Sequence, residues 1–165
     1  MRRALLLALV LAACAAPARE HAAAAAFAPL MGCWRGVFEN QPDIRDERCF
    51  APLGEHVVDT HHVRPTPYAG ETTYHYDEAA GEIVFAYAAS DGGRSNGSVR
   101  VEGARFLFSA HTHRSGDGRE LRLRSTWTLE APDRLVMTTE HEENGAWRPF
   151  MRITYARAPD LAPPP

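Results

Sequence analysis

Lysine is absent from this chain of 165 residues, and all 18 basic side chains are arginine. That excludes a Schiff-base lysine, a phosphate-loop lysine and any scheme built on an amine side chain. Long apolar runs are scarce as well. The N-terminal stretch, residues 4–13, is half the roughly 20 residues a membrane-spanning helix needs. No His-Glu-X-X-His helix or dinucleotide-binding glycine motif occurs, so those catalytic signatures are missing. Excess positive charge is missing too: the formal net charge is −3, and losing Arg2 and Arg3 by processing would make it more negative. Nucleic acid is therefore not an expected partner. What is present is an ordinary folded composition, 45% hydrophobic and 24% charged, of a length that suits one domain.

The ends carry the first positive signals. Met1-Arg2-Arg3 followed by the apolar residues 4–13 has the form of a signal peptide. The run closes on Leu11-Ala12-Ala13-Cys14, which resembles the lipobox of bacterial lipoproteins. The resemblance implies cleavage before Cys14 and acylation of its thiol and its new amine with palmitate-type chains. Three chains make a stable anchor where one binds only marginally. Ala15 occupies the place where that family carries an aspartate for inner-membrane retention. The implied location is thus the outer membrane, facing the periplasm. An ordinary secretory signal with an incidental cysteine is the alternative. Residues 15–28 hold nine alanines and no amphipathic stripe. Residues 158–165 hold four prolines. The expected organisation is a signal peptide at 1–13, a lipidated cysteine and Ala-rich tether at 14–26, a folded domain at 27–157 and a Pro-rich disordered tail at 158–165.

Between the tether and the tail no helical period is sustained. Alternation of apolar and polar residues predicts strands at 32–39, 46–51, 55–64, 71–77, 82–89, 96–101, 104–113, 119–129, 134–142 and 147–156. Turn residues such as Gln41-Pro42-Asp43, Glu78-Ala79-Ala80-Gly81, Asp91-Gly92-Gly93 and Asn144-Gly145 separate them at short intervals. Short connections favour antiparallel hairpins, and so many strands in a small domain close best into an up-and-down β-barrel of about 8–10 strands. A two-sheet sandwich is the competing all-β arrangement.

Leu30-Met31-Gly32-Cys33-Trp34-Arg35-Gly36 opens the first strand and resembles the Gly-X-Trp signature of lipocalins and their calycin relatives. The resemblance implies that Trp34 plugs the closed end of a barrel and that an arginine of the last strand, Arg152 or Arg157, lies across its ring. Glu47 and the Pro52-Leu53-Gly54 turn extend the likeness to bacterial lipocalin-like domains of unknown function. Phe38 stands where haem-binding calycin relatives carry a further glycine, so no cofactor is implied.

With Cys14 acylated, Cys33 and Cys49 remain as an even pair on neighbouring predicted strands in an oxidising compartment. A structural disulfide, contributing about 3 kcal/mol, is expected. His111 and His113 lie two apart on one strand, their rings about 7 Å apart on one face. They could ligate a metal if His141, Glu140 or Asp59 supplied a third group. The competing reading makes them solvent-facing, because Arg105, Leu107 and Ser109 share their parity. Arg122 and Arg124 alternate with Leu123, Ser125 and Trp127. They form a solvated outer face if Trp127 points in, and a carboxylate clamp if the faces reverse.

Taking Trp34 as inward, bulk and alternation give a provisional interior of Trp34, Phe50, Tyr74, Tyr76, Phe85 and Tyr87. Phe106, Phe108, Trp127, Met137 and Phe150 continue it. Such a lining is either plain core or the wall of an apolar pocket. The functional expectation is an envelope protein held by N-terminal lipid that carries a small hydrophobic or amphipathic ligand. A metal-dependent or enzymatic barrel using the histidines, and a structural lipoprotein with an envelope partner, are the alternatives.

Overall fold

The computed structural model describes residues 22–162, and the expectations for the signal peptide and Cys14 lie outside them. The chain opens with a one-and-a-half-turn helix, α1 (Ala22–Phe27), and a 3-10 turn (Ala28–Leu30). Ten strands follow: β1 (Gly32–Phe38), β2 (Gln41–Leu53), β3 (His56–Arg64), β4 (Ala69–Asp77) and β5 (Glu82–Ala89). The second half is β6 (Arg94–Glu102), β7 (Arg105–Arg114), β8 (Glu120–Ala131), β9 (Arg134–Glu143) and β10 (Ala146–Arg157). Each strand pairs antiparallel with its neighbours in sequence, and β1 closes on β10 to complete a barrel. Closure satisfies every edge, which a flat meander or a sandwich of these strands would leave open.

All ten expected strands are present, and β2 is longer than expected. The turn that begins it falls at residues 39–40, and Pro42 lies within the strand. Val37 pairs with Arg45 and Phe38 with Gln41, so residues 42–44 bulge out of the ladder. A proline, lacking an N–H, is accommodated at such an interruption.

One end of the barrel is plugged. Phe27 is fully buried and packs against Tyr74 at 4.3 Å, Phe106 at 5.1 Å and Phe50 at 6.4 Å between ring centroids. Ala23, one helical turn earlier, and Leu30 are also buried. Residues 22–26, expected within the tether, therefore form part of the plug. Trp34 is fully buried beneath it and donates from Nε1 to the Leu30 carbonyl at 2.7 Å. The Arg157 guanidinium lies 3.8 Å from the Trp34 ring centroid, and it also donates to the carbonyls of Pro29, at 2.6 Å, and of Met31. One arginine thus fastens the 3-10 turn across the tryptophan. Arg152, the other candidate, is exposed and faces Glu39 instead.

Cys33 and Cys49 are bonded, directly across the β1–β2 hairpin. The start of the tail packs over them: Ala158 is buried and donates to the Cys33 carbonyl at 2.9 Å, and Asp160 pairs with Arg35 at 2.8 Å. Residues 158–162 consequently lie on the barrel rather than free of it.

Candidate ligand-binding site

Strand parity makes the interior. Trp34 faces inward, so its cross-strand partner Arg48 does too, and so does His61 opposite Arg48 on β3. Asp46 and Asp59, two residues away on the same strands, join them. The middle of the barrel therefore holds a charged cluster. Arg48 Nε donates to Asp46 Oδ2 at 3.2 Å, and its Nη1 bonds Asp59 Oδ2. Tyr155 donates to Asp46 at 2.7 Å and Tyr74 to Asp59 at 3.2 Å. His61 Nδ1 meets Asp46 Oδ1 at 2.8 Å.

Burial by itself would raise the Asp46 carboxyl, but Arg48, His61 and Tyr155 together hold it well below the usual carboxylate range. Asp59 goes the other way, because burial outweighs the pull of Arg48. Its Oδ1 is buried without a hydrogen-bond partner among the described residues, while Oδ2 takes the bonds from Arg48 and Tyr74. Burial also raises Tyr74 and Tyr155, keeping both as neutral donors.

From this cluster a chain of hydrogen bonds runs toward the open end: His61 Nε2 to the Tyr87 hydroxyl at 3.1 Å, and Tyr87 to the Tyr68 hydroxyl at 2.7 Å. Two glycines leave room for it. A Cβ on Gly70 would stand 2.4 Å from the Tyr87 hydroxyl and 2.5 Å from His61 Nε2. A Cβ on Gly36 would stand 2.5 Å from the Tyr155 ring. Both positions exclude a side chain for the sake of an aromatic hydroxyl reaching the cluster.

Above the cluster the barrel is hollow. A cavity of about 560 Å³ extends to the rim formed by the β3–β4, β5–β6 and β7–β8 turns. Of the residues expected inside, Tyr74, Phe85, Tyr87, Phe108, Trp127 and Met137 line it, and Phe150 stands at the rim, half exposed. Phe106 and Trp34 belong to the packed plug, and Tyr76 is a partly buried residue packed against the core; none of the three borders the cavity. Trp127 Nε1 is buried without a hydrogen-bond partner among the described residues. Arg48 lies 5.3 Å from the Trp127 ring centroid, joining the cluster to the aromatic wall.

Arg122 and Arg124 do not reach this space. They point outward and pair with Glu142 at 3.6 Å and Glu140 at 2.6 Å on β9, so the carboxylate clamp is corrected to a pair of surface ion pairs. The reason is that Leu121, Leu123, Ser125 and Trp127 hold the inward parity of β8.

His111 and His113 face the cavity, against the solvent-facing reading. A β-bulge between Phe108 and His111 inserts one extra residue in β7. Phe108 pairs with Ser125 and His111 with Leu123, so both sides of the bulge point inward although their parities differ. The bulge also frees the Ser109 carbonyl, which accepts from His111 Nδ1 at 2.8 Å. His113 Nδ1 meets Ser95 Oγ at 2.9 Å. Burial lowers both imidazoles and favours their neutral forms. His141, Glu140 and Asp59 do not complete a metal site with them: no group of three ligating side chains occurs among the described residues.

Asp46, Arg48, His61, Tyr68 and Tyr155 were not expected as site residues, and Asp59 was expected only as a third group beside the histidines. One signal could have found the first two. The Cys33–Cys49 pairing fixes Arg48 opposite Trp34, and parity then turns Asp46 inward as well.

None of the curated proteins matches the chain. Among solved structures it is similar to Rv2717c from M. tuberculosis, with 16% sequence identity and a TM-score of 0.58. That match covers 87% of this chain and 98% of the other, and at such identity it reports a common fold. A family model described as "Protein of unknown function (DUF1579)" matches residues 17–157, so the chain belongs to the DUF1579 family.

Proposed function

We propose that the barrel is a receptor for one small, largely apolar molecule, carried in the hollow half between the charged cluster and the rim. The observation that carries this reading is the cavity itself. Its volume of about 560 Å³ falls inside the roughly 300–1,000 Å³ typical of small-molecule sites. Most of its exposed wall is aromatic and aliphatic, with the cluster, the histidines and hydroxyl side chains set into it, a composition that binds a hydrocarbon body and orients it. A cluster of buried charges beneath a cavity would collapse or hydrate unless it were satisfied internally, and here the floor is braced by its own ion pairs.

Native mass spectrometry of protein purified from its own host, together with titration by an uncharged fluorescent apolar dye, tests the reading. A retained adduct of a few hundred daltons, or saturable dye binding abolished by Leu123→Trp, is the expected result. An empty protein that leaves the dye in water contradicts it.

We further propose that the carrier is held in the cell envelope by lipid on Cys14. The sequence at 1–14 supports this, and the Cys33–Cys49 disulfide suits the oxidising compartment it requires. Cys14→Ser should abolish palmitate labelling and release the protein from membranes; unchanged labelling contradicts the anchor.

A further inference from the structure

We propose that His111 Nε2 is the polar anchor of the cavity and accepts a hydrogen bond from a hydroxyl on the bound molecule, so that the ligand is an aromatic or hydrocarbon alcohol or phenol rather than an ether, a ketone or a pure hydrocarbon. This rests on the reading of the barrel as a carrier and names the ligand's chemistry.

The tautomer is fixed by the backbone. A carbonyl oxygen only accepts, so the His111 Nδ1 bonded to the Ser109 carbonyl must carry the hydrogen. In the neutral ring Nε2 is then a lone pair, and it bonds nothing among the described residues. The ring is held by that carbonyl on one side and by the Phe85 ring on another, edge-on at 5.1 Å and 82°. The neutral form is the one its surroundings favour. Burial is the main cause, and His113 on the same strand and Arg122 on the outer face of β8 add to it. The Ser109 carbonyl acts in the opposite sense and is outweighed. Phe85 on β5 and Leu123, directly across on β8, bring no charge to the ring.

A ligand that brings a donor satisfies the Nε2 lone pair. A ligand that brings only an acceptor leaves it to face another lone pair, and an unpaired polar group in a desolvated site is what a hydrogen-bonding pocket discriminates against.

The test uses three matched aromatic probes, naphthalene, 2-methoxynaphthalene and 2-naphthol, titrated into the folded domain at pH 7.5 by calorimetry. The expected result is 2-naphthol binding about tenfold or more tighter than 2-methoxynaphthalene, with naphthalene close to the ether. In His111→Phe the preference for the hydroxyl should fall to about threefold or less while naphthalene affinity is retained. His111→Gln, which keeps an acceptor oxygen, should restore part of the preference; it also serves if the phenylalanine variant fails to fold. Equal binding of 2-naphthol and 2-methoxynaphthalene by the native protein overturns the anchor but leaves the carrier reading standing. A preference that survives in both variants overturns the assignment to His111. Failure of all three probes to bind overturns the carrier reading and the anchor with it.

Discussion

Arg48 is the residue on which the interior turns. Its guanidinium is buried, and both carboxylates it touches are more deeply buried still. Pairing offsets a desolvation cost that none of the three could bear alone. Arg48→Met keeps most of the volume and strands Asp46, so a loss of about 3–5 kcal/mol is expected in urea unfolding. Acid should act through the same interior with a definite sign. His111 and His113 are depressed, so the unfolded chain protonates first as pH drops below the usual histidine value near 6.5. Stability is therefore lost on acidification, and Asp46, also depressed, adds its loss at lower pH. Asp59 is raised and opposes the trend, its contribution being present in acid and lost as pH rises through its shifted value. Between pH 7 and 5 the melting temperature should fall, and the fall should be shallower in His111→Gln/His113→Gln. A double variant with the native slope would remove the histidines from this account. The roles of Asp46 and Arg48 do not show in their residue types, because charged side chains on a strand ordinarily face solvent. The register that sets Cys33 opposite Cys49 and Trp34 opposite Arg48 turns them inward.

At the scale of elements, the interruptions matter as much as the ladders. The aromatic lining was legible because a strand alternates with a period of two, and Phe85-X-Tyr87 and Trp127 kept that parity throughout. His111 and His113 lost it because one extra residue in β7 reverses the faces beyond the bulge, and nothing in Ser109-Ala110 marks a bulge by composition. α1 escaped notice for a related reason. Its only periodic signature is Ala23 and Phe27, one turn apart, and six residues are too few to show a stripe. The joint of the plug is Trp34 with Arg157. Trp34→Ala should cost about 3–5 kcal/mol as a large buried deletion. A double-mutant cycle with Arg157→Ala should give a coupling of about 0.5–2 kcal/mol, the range for a cation held over an indole. The same cycle with Arg152, which faces Glu39 on the surface, should give none. Coupling to Arg152 rather than Arg157 would contradict the clamp.

The whole molecule divides into two halves with different physics. Below the charged cluster, α1, the 3-10 turn and β1 fill the barrel with Phe27, Leu30 and Trp34, against Phe106 of β7. Above it, the same ten strands enclose space. The closed architecture was legible from strand count, short turns and the tryptophan motif, since ten hairpin-linked strands have few other ways to hide their edges. Whether that closure left a hollow was not, because the residues that fill a barrel and those that wall a pocket are the same types. The difference lies in the plug and the cluster, which occupy one half and brace the other. The most direct measurement is a titration of naphthalene followed by the methionine methyl signals in NMR. Met137 and Met151 line the cavity, while Met31 packs at the plugged end. The account predicts saturable shifts at Met137 and Met151 with Met31 unmoved. Three methyls that stay in place at saturating naphthalene, or that move together, would contradict a hollow and binding-competent upper half.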